Sequence, residues 1–416
     1  MSLEDLRKVL KYYQASAPEE PQPIEGAAMP YPESPLFRPR EEVFLPRSGQ
    51  ITSLKFDEKK KHLYVADGEA HAVWVFSPKG EVLEVHPTMG TEAIDILVRE
   101  DGFECTLVGH LKWAHENGGV MKTVLPKEGK PSSTTLVTGL PRTAHSSRGD
   151  LNGDGREDIL TSGFGSGFKG GLFAHFLQSD GTYLQRNLWE MNGFLQGEIE
   201  DLDGDGDLDI LTMRAQGMHM LAWLENDGSG TFTNHLIWNE KASYGANGFI
   251  YQDMNGDGRK DLIVYCGNNM EMRNPPVRPY HGIFVYENLG AMRFKQAAFQ
   301  ALPGAVSAVV RDFDHDGQLD IAAISSCPDW RADSPTSFVL MRGAGGLHFT
   351  TQKVAVTDGG MWMAIEAGDL DGDGDQDLIL GLNVFPPPAT LEENLVRLKK
   401  ATAEKPTIMV LENTLK

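Results

Sequence analysis

The chain has 416 residues and a formal charge of −21, from 59 acidic against 38 basic side chains. So strong an acidic excess repels phosphate backbones and argues against nucleic-acid binding. Hydrophobic residues make up 40%, enough for a large core, but no run of about eighteen apolar residues suggests a membrane span.

In chain order, the first element is a helix within residues 1–20, with Leu6, Val9, Leu10 and Tyr13 as its apolar stripe. No apolar leader precedes it, and the native signal or an upstream module is expected to lie outside this sequence. Residues 1–40 read as this helix plus an extended arm, and residues 41–416 as one domain. Strand-like runs bounded by Gly, Asn and Asp dominate that domain, which makes it all-β. The three cysteines, Cys105, Cys266 and Cys327, match no metal or haem spacing and read as small buried hydrophobes.

Two strand-rich periods, 51–85 and 92–139, turn through short hairpins at "DEKK" and "REDG". Five further periods each carry one nonapeptide: "DLNGDGRED" at 150, "DLDGDGDLD" at 201, "DMNGDGRKD" at 253, "DFDHDGQLD" at 312 and "DLDGDGDQD" at 369. Each is followed by a short apolar run such as "ILTM" or "LIVY", then by two more strand-like pieces. Four strands per period make one propeller blade, with the nonapeptide between the first and second strands. Two plus five periods predict a seven-bladed β-propeller of four-stranded blades. The last period, ending at "TIMVLENTLK", has only three strands, and "EEVFLP" at 41–46 is expected to supply the fourth and close the ring.

Alternating oxygens separated by glycine describe a cage for a hard cation. Side chains at positions 1, 3, 5 and 9 and the carbonyl at position 7 form the expected shell, with glycine at the sharp turn of position 6. The expected ligands are Asp150, Asn152, Asp154, Arg156 and Asp158; Asp201, Asp203, Asp205, Asp207 and Asp209; Asp253, Asn255, Asp257, Arg259 and Asp261; Asp312, Asp314, Asp316, Gln318 and Asp320; and Asp369, Asp371, Asp373, Asp375 and Asp377. The position-7 residues enter through their carbonyls. Such a shell suits Ca²⁺ better than Mg²⁺, and up to five ions are expected. The 150 and 253 loops hold Asn at position 3 and are expected to bind more weakly than the other three.

The repeated D-x-[DN]-x-D-G-x-x-D, with "FGSG" after the first copy, resembles the FG-GAP/VCBS repeats of integrin α-subunit propellers and of many bacterial secreted proteins. The resemblance implies a calcium-stabilised propeller in an extracytoplasmic setting: periplasmic, cell-surface or secreted. In a bacterial subgroup of these propellers a c-type cytochrome module can precede the ring. Residues 3–20 are similar to the closing helix of such a module, although an ordinary docking helix fits them as well.

Function is expected on the face opposite the aspartate loops, where the long loops between second and third strands emerge. The last of these, 383–406, carries a capping box at Thr390 and Glu393 and a short apolar stripe at Leu391, Leu395 and Leu398. His110, Trp113, His115, Glu271, Trp330 and Arg331 belong to such loops, and Gln196, Ser307 and Trp362 to the channel mouth. Together they suit a polar or carbohydrate ligand, a polysaccharide or glycan, or a protein partner, bound by a monomer. Each also has a plain alternative, as an aromatic packed on the next blade or a hydrogen-bonded histidine. A lyase or sugar dehydratase would instead use His145, Arg273, Tyr280 and His281 to move a proton next to a carboxylate. An accessory propeller of a redox protein is the third reading.

Overall fold

The computed structural model describes residues 31–40, 50–110, 117–166, 168–241, 244–267, 278–329, 332, 335–383 and 405–415. The expected helices near residues 1–20 and 390–398, and the expected strand at 41–46, lie outside these residues. Seven four-stranded antiparallel sheets are formed. Blade I runs over Ile51–Pro87, II over Glu92–Leu140, III over Thr143–Trp189, IV over Phe194–Glu240, V over Ala246–Ala301 and VI over Ala305–Gln352. Blade VII takes three strands from Trp362–Asn413 and its outer strand from Phe37–Pro39, which pairs Phe37 with Asn413 and Pro39 with Leu411. The ring therefore closes as expected, but with a segment upstream of 41–46.

Burial explains the strand composition. Second strands such as Asp209–Arg214, Asp320–Ser325 and Asp377–Leu382 are buried along their whole length and read as continuous apolar runs. Outer strands such as Val82–Pro87 are mostly exposed. The core lies between blades rather than at the centre of the ring. Ile51, Leu63 and Val65 of blade I pack on Ala364, Ile379 and Val410 of blade VII, and similar apolar layers fill five further seams.

The seam between blades II and III is joined by polar groups. The buried Arg148 guanidinium donates to Glu104 at 2.6 and 2.8 Å, and Thr106 and Ser146 share a hydroxyl contact of 2.6 Å.

All seven first strands are interrupted by a register shift near their start, as between Thr143 and His145 or Phe194 and Gln196. Such a bulge inserts one residue and re-aims its neighbours. The residue just before it points into the core in blades I, III, IV, V, VI and VII: Ile51, Thr143, Phe194, Ala246, Ala305 and Trp362 are all fully buried. Two inserted residues reach the next blade, where the Thr52 hydroxyl donates to Ala93 O at 2.6 Å and the Asn247 amide to Ala305 O at 2.7 Å.

Candidate metal centres and the channel

The five nonapeptides adopt one geometry. In each, the position-3 side-chain oxygen accepts the position-5 N–H and the position-5 carboxylate accepts the position-7 N–H, at 2.8–3.3 Å. The position-1 carboxylate takes the N–H of the position-6 glycine in the first four loops. Gly155 and its counterparts have φ between 81° and 98°, where a side chain would be strained. Position 4 is left-handed too, a requirement the sequence reading missed. Glycine meets it in four loops, and His315 adopts φ 54° in the fifth.

The position-9 aspartates do a second job. In each loop one oxygen accepts the position-2 N–H and the other accepts an N–H at the end of the third strand. The pairs are Leu151 and Leu177 on Asp158, Leu202 and Asn226 on Asp209, Met254 and Asn288 on Asp261, Phe313 and Gly343 on Asp320, and Leu370 and Asn413 on Asp377. Burial raises the pKa of all five above the ordinary carboxylate range, with neighbouring loop carboxylates adding to it. Asp320 reaches about 6 and Asp377 about 7.

These donor sets fit a hard divalent cation. Carboxylate oxygens of Asp201, Asp203 and Asp209 lie within 4.8 Å of one another, as do those of Asp312, Asp314 and Asp316, and of Asp369, Asp371 and Asp373. All donors are oxygen, as Ca²⁺ requires.

Four of the loops also meet a cationic side chain. Arg156 pairs with Asp154 and Arg259 with Asp257, each at 2.5 Å, from position 7 of the same loop. Arg342 pairs with Asp314 from the third strand of blade VI, and Lys61 reaches from blade I to Asp369 at 3.2 Å. No ion pair joins a basic side chain to the 201–209 loop among the described residues. Asp207 adds a further carboxylate there, its pKa raised by burial and by its acidic neighbours. Among the described residues, ion pairs thus set one loop without a Lys or Arg partner apart from four with one.

On the axis, first strands of six blades contribute charge. His145 Nε2 of blade III lies 3.7 Å from Asp95 of blade II and 3.5 Å from Glu198 of blade IV. Across the ring, Glu366 of blade VII lies between Lys55 of blade I at 3.8 Å and Arg311 of blade VI at 3.9 Å. Burial would lower the Lys55 pKa, but Glu366, Asp95 and Glu198 outweigh it and the net shift is upward.

Of the residues expected at the ligand face, Trp113, His115, Glu271, Trp330 and Arg331 lie outside the described residues, as does Arg273. His110 faces Glu92 at 3.6 Å and Ser307 is half-buried on the first strand of blade VI. The Gln196 amide is already used: it donates to Phe249 O and accepts the Phe249 N–H, stitching blade IV to blade V. Trp362 is not an open platform. It precedes the bulge, is fully buried, and its indole N–H donates to Thr357 O at 2.9 Å.

Of the three catalytic candidates within the described residues, Tyr280 and His281 are neighbours and His145 stands apart from them. His281 is fully buried beside Tyr280, and burial, with Arg278 and His219, lowers its pKa to about 3. Tyr280 stacks on Tyr244 of the blade IV–V seam, whereas His145 stands on the axis among carboxylates.

No described helix is long and apolar enough to cross a membrane. No curated protein matches the chain. The sequence profile of the FG-GAP-like repeat matches residues 201–264 and 328–380, which take in three of the five aspartate loops. The chain is therefore a seven-bladed β-propeller built with FG-GAP-like repeats.

Proposed function

We propose that the protein is a calcium-stabilised, extracytoplasmic binding module whose partner, a glycan or another protein, docks at the channel mouth and on the long loops opposite the aspartate face. The observation that carries this reading is the recurring loop geometry, which in three of the five loops brings three carboxylate oxygens within 4.8 Å of one another, close enough to share one cation. Extracellular modules of this general kind bind calcium at about 10⁻⁴–10⁻³ M, which suits a calcium-rich compartment. The opposite sectors of unlike charge on the axis, Asp95–His145–Glu198 and Lys55–Glu366–Arg311, give a polar partner both donors and acceptors.

The test joins two readings of one preparation. Thermal unfolding is followed in calcium and in EGTA with bound metal counted, and a glycan array is probed in both buffers. Bound calcium, a higher melting temperature and calcium-dependent glycan retention support the proposal. An unchanged melting temperature with no bound metal removes its calcium part. Array and protein pull-down signals that survive mutation of Asp95, His145 and Glu198 together move the partner away from the axis.

A further inference from the structure

A cleft of about 500 Å³ lies on the outer flank of the ring between blades IV and V, its blade V wall formed in part by the turn that follows Asn288, which is bonded to the 253–261 loop. Its walls are Trp223, Trp238, Tyr286 and Phe294, with Leu236, Ile237 and Met292 between them. Glu240 and Arg293, both exposed, also line it.

The rings are braced from behind. His235 stacks on Trp223 at 4.7 Å and is itself tied to Glu225 at 2.6 Å. Trp238 meets Tyr244 edge-on at 5.6 Å, and the Tyr244 hydroxyl lies 3.1 Å from that of Tyr286. The bracing residues His235, Glu225 and Tyr244 are not among those lining the cleft, so they fix the walls without filling the space. Ala291 and Met292 hold left-handed conformations at φ 52° each; in the corresponding turn of blade IV, Met292 is matched by Gly230 and Ala291 by Ser229. That strain places two side chains against the cleft that glycine would not supply. Leu236, in the same wall, is 56% exposed.

We propose that this cleft binds a neutral, flat-faced sugar: a β-linked pyranose whose hydroxyls are equatorial. Such a ring presents apolar C–H faces to aromatic walls and a polar edge to side chains at the rim. A carboxylate accepts from hydroxyls and a guanidinium donates to them, so Glu240 and Arg293 cover both hydrogen-bond roles. The two charges cancel locally, and the chain's −21 disfavours an acidic saccharide. A purely apolar occupant would leave both charged groups without use. This inference adds a site to the proposed binding function and does not depend on the channel mouth.

The probe is cellotriose, with the curved maltotriose as comparison, titrated calorimetrically into calcium-saturated protein. Saturable cellotriose binding, weakened about tenfold or more by Glu240→Gln or Arg293→Ala and by Trp238→Phe with Trp223→Leu, supports the proposal. Both Glu240 and Arg293 are exposed, so their variants report on binding rather than folding; an unchanged melting temperature verifies this. Binding unaffected by these changes, or lost on mutating His145 instead, overturns it. So does the absence of binding up to about 10 mM, a weaker affinity than any specific site needs. Uptake of a hydrophobic dye without cellotriose would assign the cleft to an apolar partner and equally overturn it.

Discussion

At the scale of single residues, the loops are nearly self-explanatory. Much of each loop is held by bonds within nine residues, so the spacing of the aspartates and the glycine at position 6 were legible in the sequence, whereas the left-handed position 4 and the tie from position 9 to the third strand were not. The cations were legible only in part. Arg156 and Arg259 sit inside the repeat, but Lys61 meets Asp369 from a position 308 residues away, and only ring closure brings them together. Because Lys61 shares a carboxylate with the expected ion, Lys61→Met should tighten calcium binding at the 369 loop by about tenfold while lowering metal-free stability. Calorimetric titration of the variant checks this, and unchanged affinity would mean that the ammonium does not compete.

Histidines set a different response. His175 and His281 are buried neutral, with pKa values lowered by burial to about 4 and about 3. The unfolded chain takes up these protons near pH 6.5, so their contribution to stability is whole above that pH and fades as pH falls towards 4 and 3. Urea unfolding in saturating calcium should lose up to about 1.4 kcal/mol per pH unit for each histidine below pH 6.5. His281→Gln should flatten that slope.

At the scale of elements, the repeated bulge organises the inner wall. In six of the seven blades it sends one residue of the first strand into the core, and in blades I and V the inserted residue reaches the next blade. The sequence placed His145, Gln196 and Ser307 in common register, as found. It did not reveal that Trp362 stands on the buried side, because a bulge leaves no residue signature in these strands. The closing strand escaped for a similar reason: "FRP" at 37–39 has little strand character and pairs because Leu411–Asn413 offers an open edge.

The polar seam between blades II and III invites a measurement of its own. Glu104→Ala leaves the buried Arg148 charge uncompensated and should cost about 3–5 kcal/mol in urea unfolding. Replacing the pair together, by Glu104→Leu with Arg148→Met, should cost far less. Equal losses would show that packing, not charge pairing, holds this seam.

At the scale of the molecule, ring closure couples all blades into one cooperative body. The Asn413 amide bonds Phe313 O at 2.7 Å, and Phe37 meets the Phe313 ring edge-on at 5.5 Å, so the clasp of blade VII is anchored on blade VI as well. Phe37→Ala should lower stability by about 3–5 kcal/mol and favour self-association through the freed edge. Chemical unfolding and light scattering on one sample report both effects.

The same clasp has a mechanical meaning. Its two strands run antiparallel, and residue 37 lies beside residue 413, so the chain continues from the same end of the pair on both sides, with residues 32–34 still bonded to Lys353 next to blade VI. Tension applied through those two exits loads the clasp's hydrogen bonds one after another, as in opening a zipper, instead of shearing them together. A ring of seven blades would thus open at the one place where two distant parts of the chain complete a sheet. Tethering the protein through both ends would make this three-residue pairing the ring's release point.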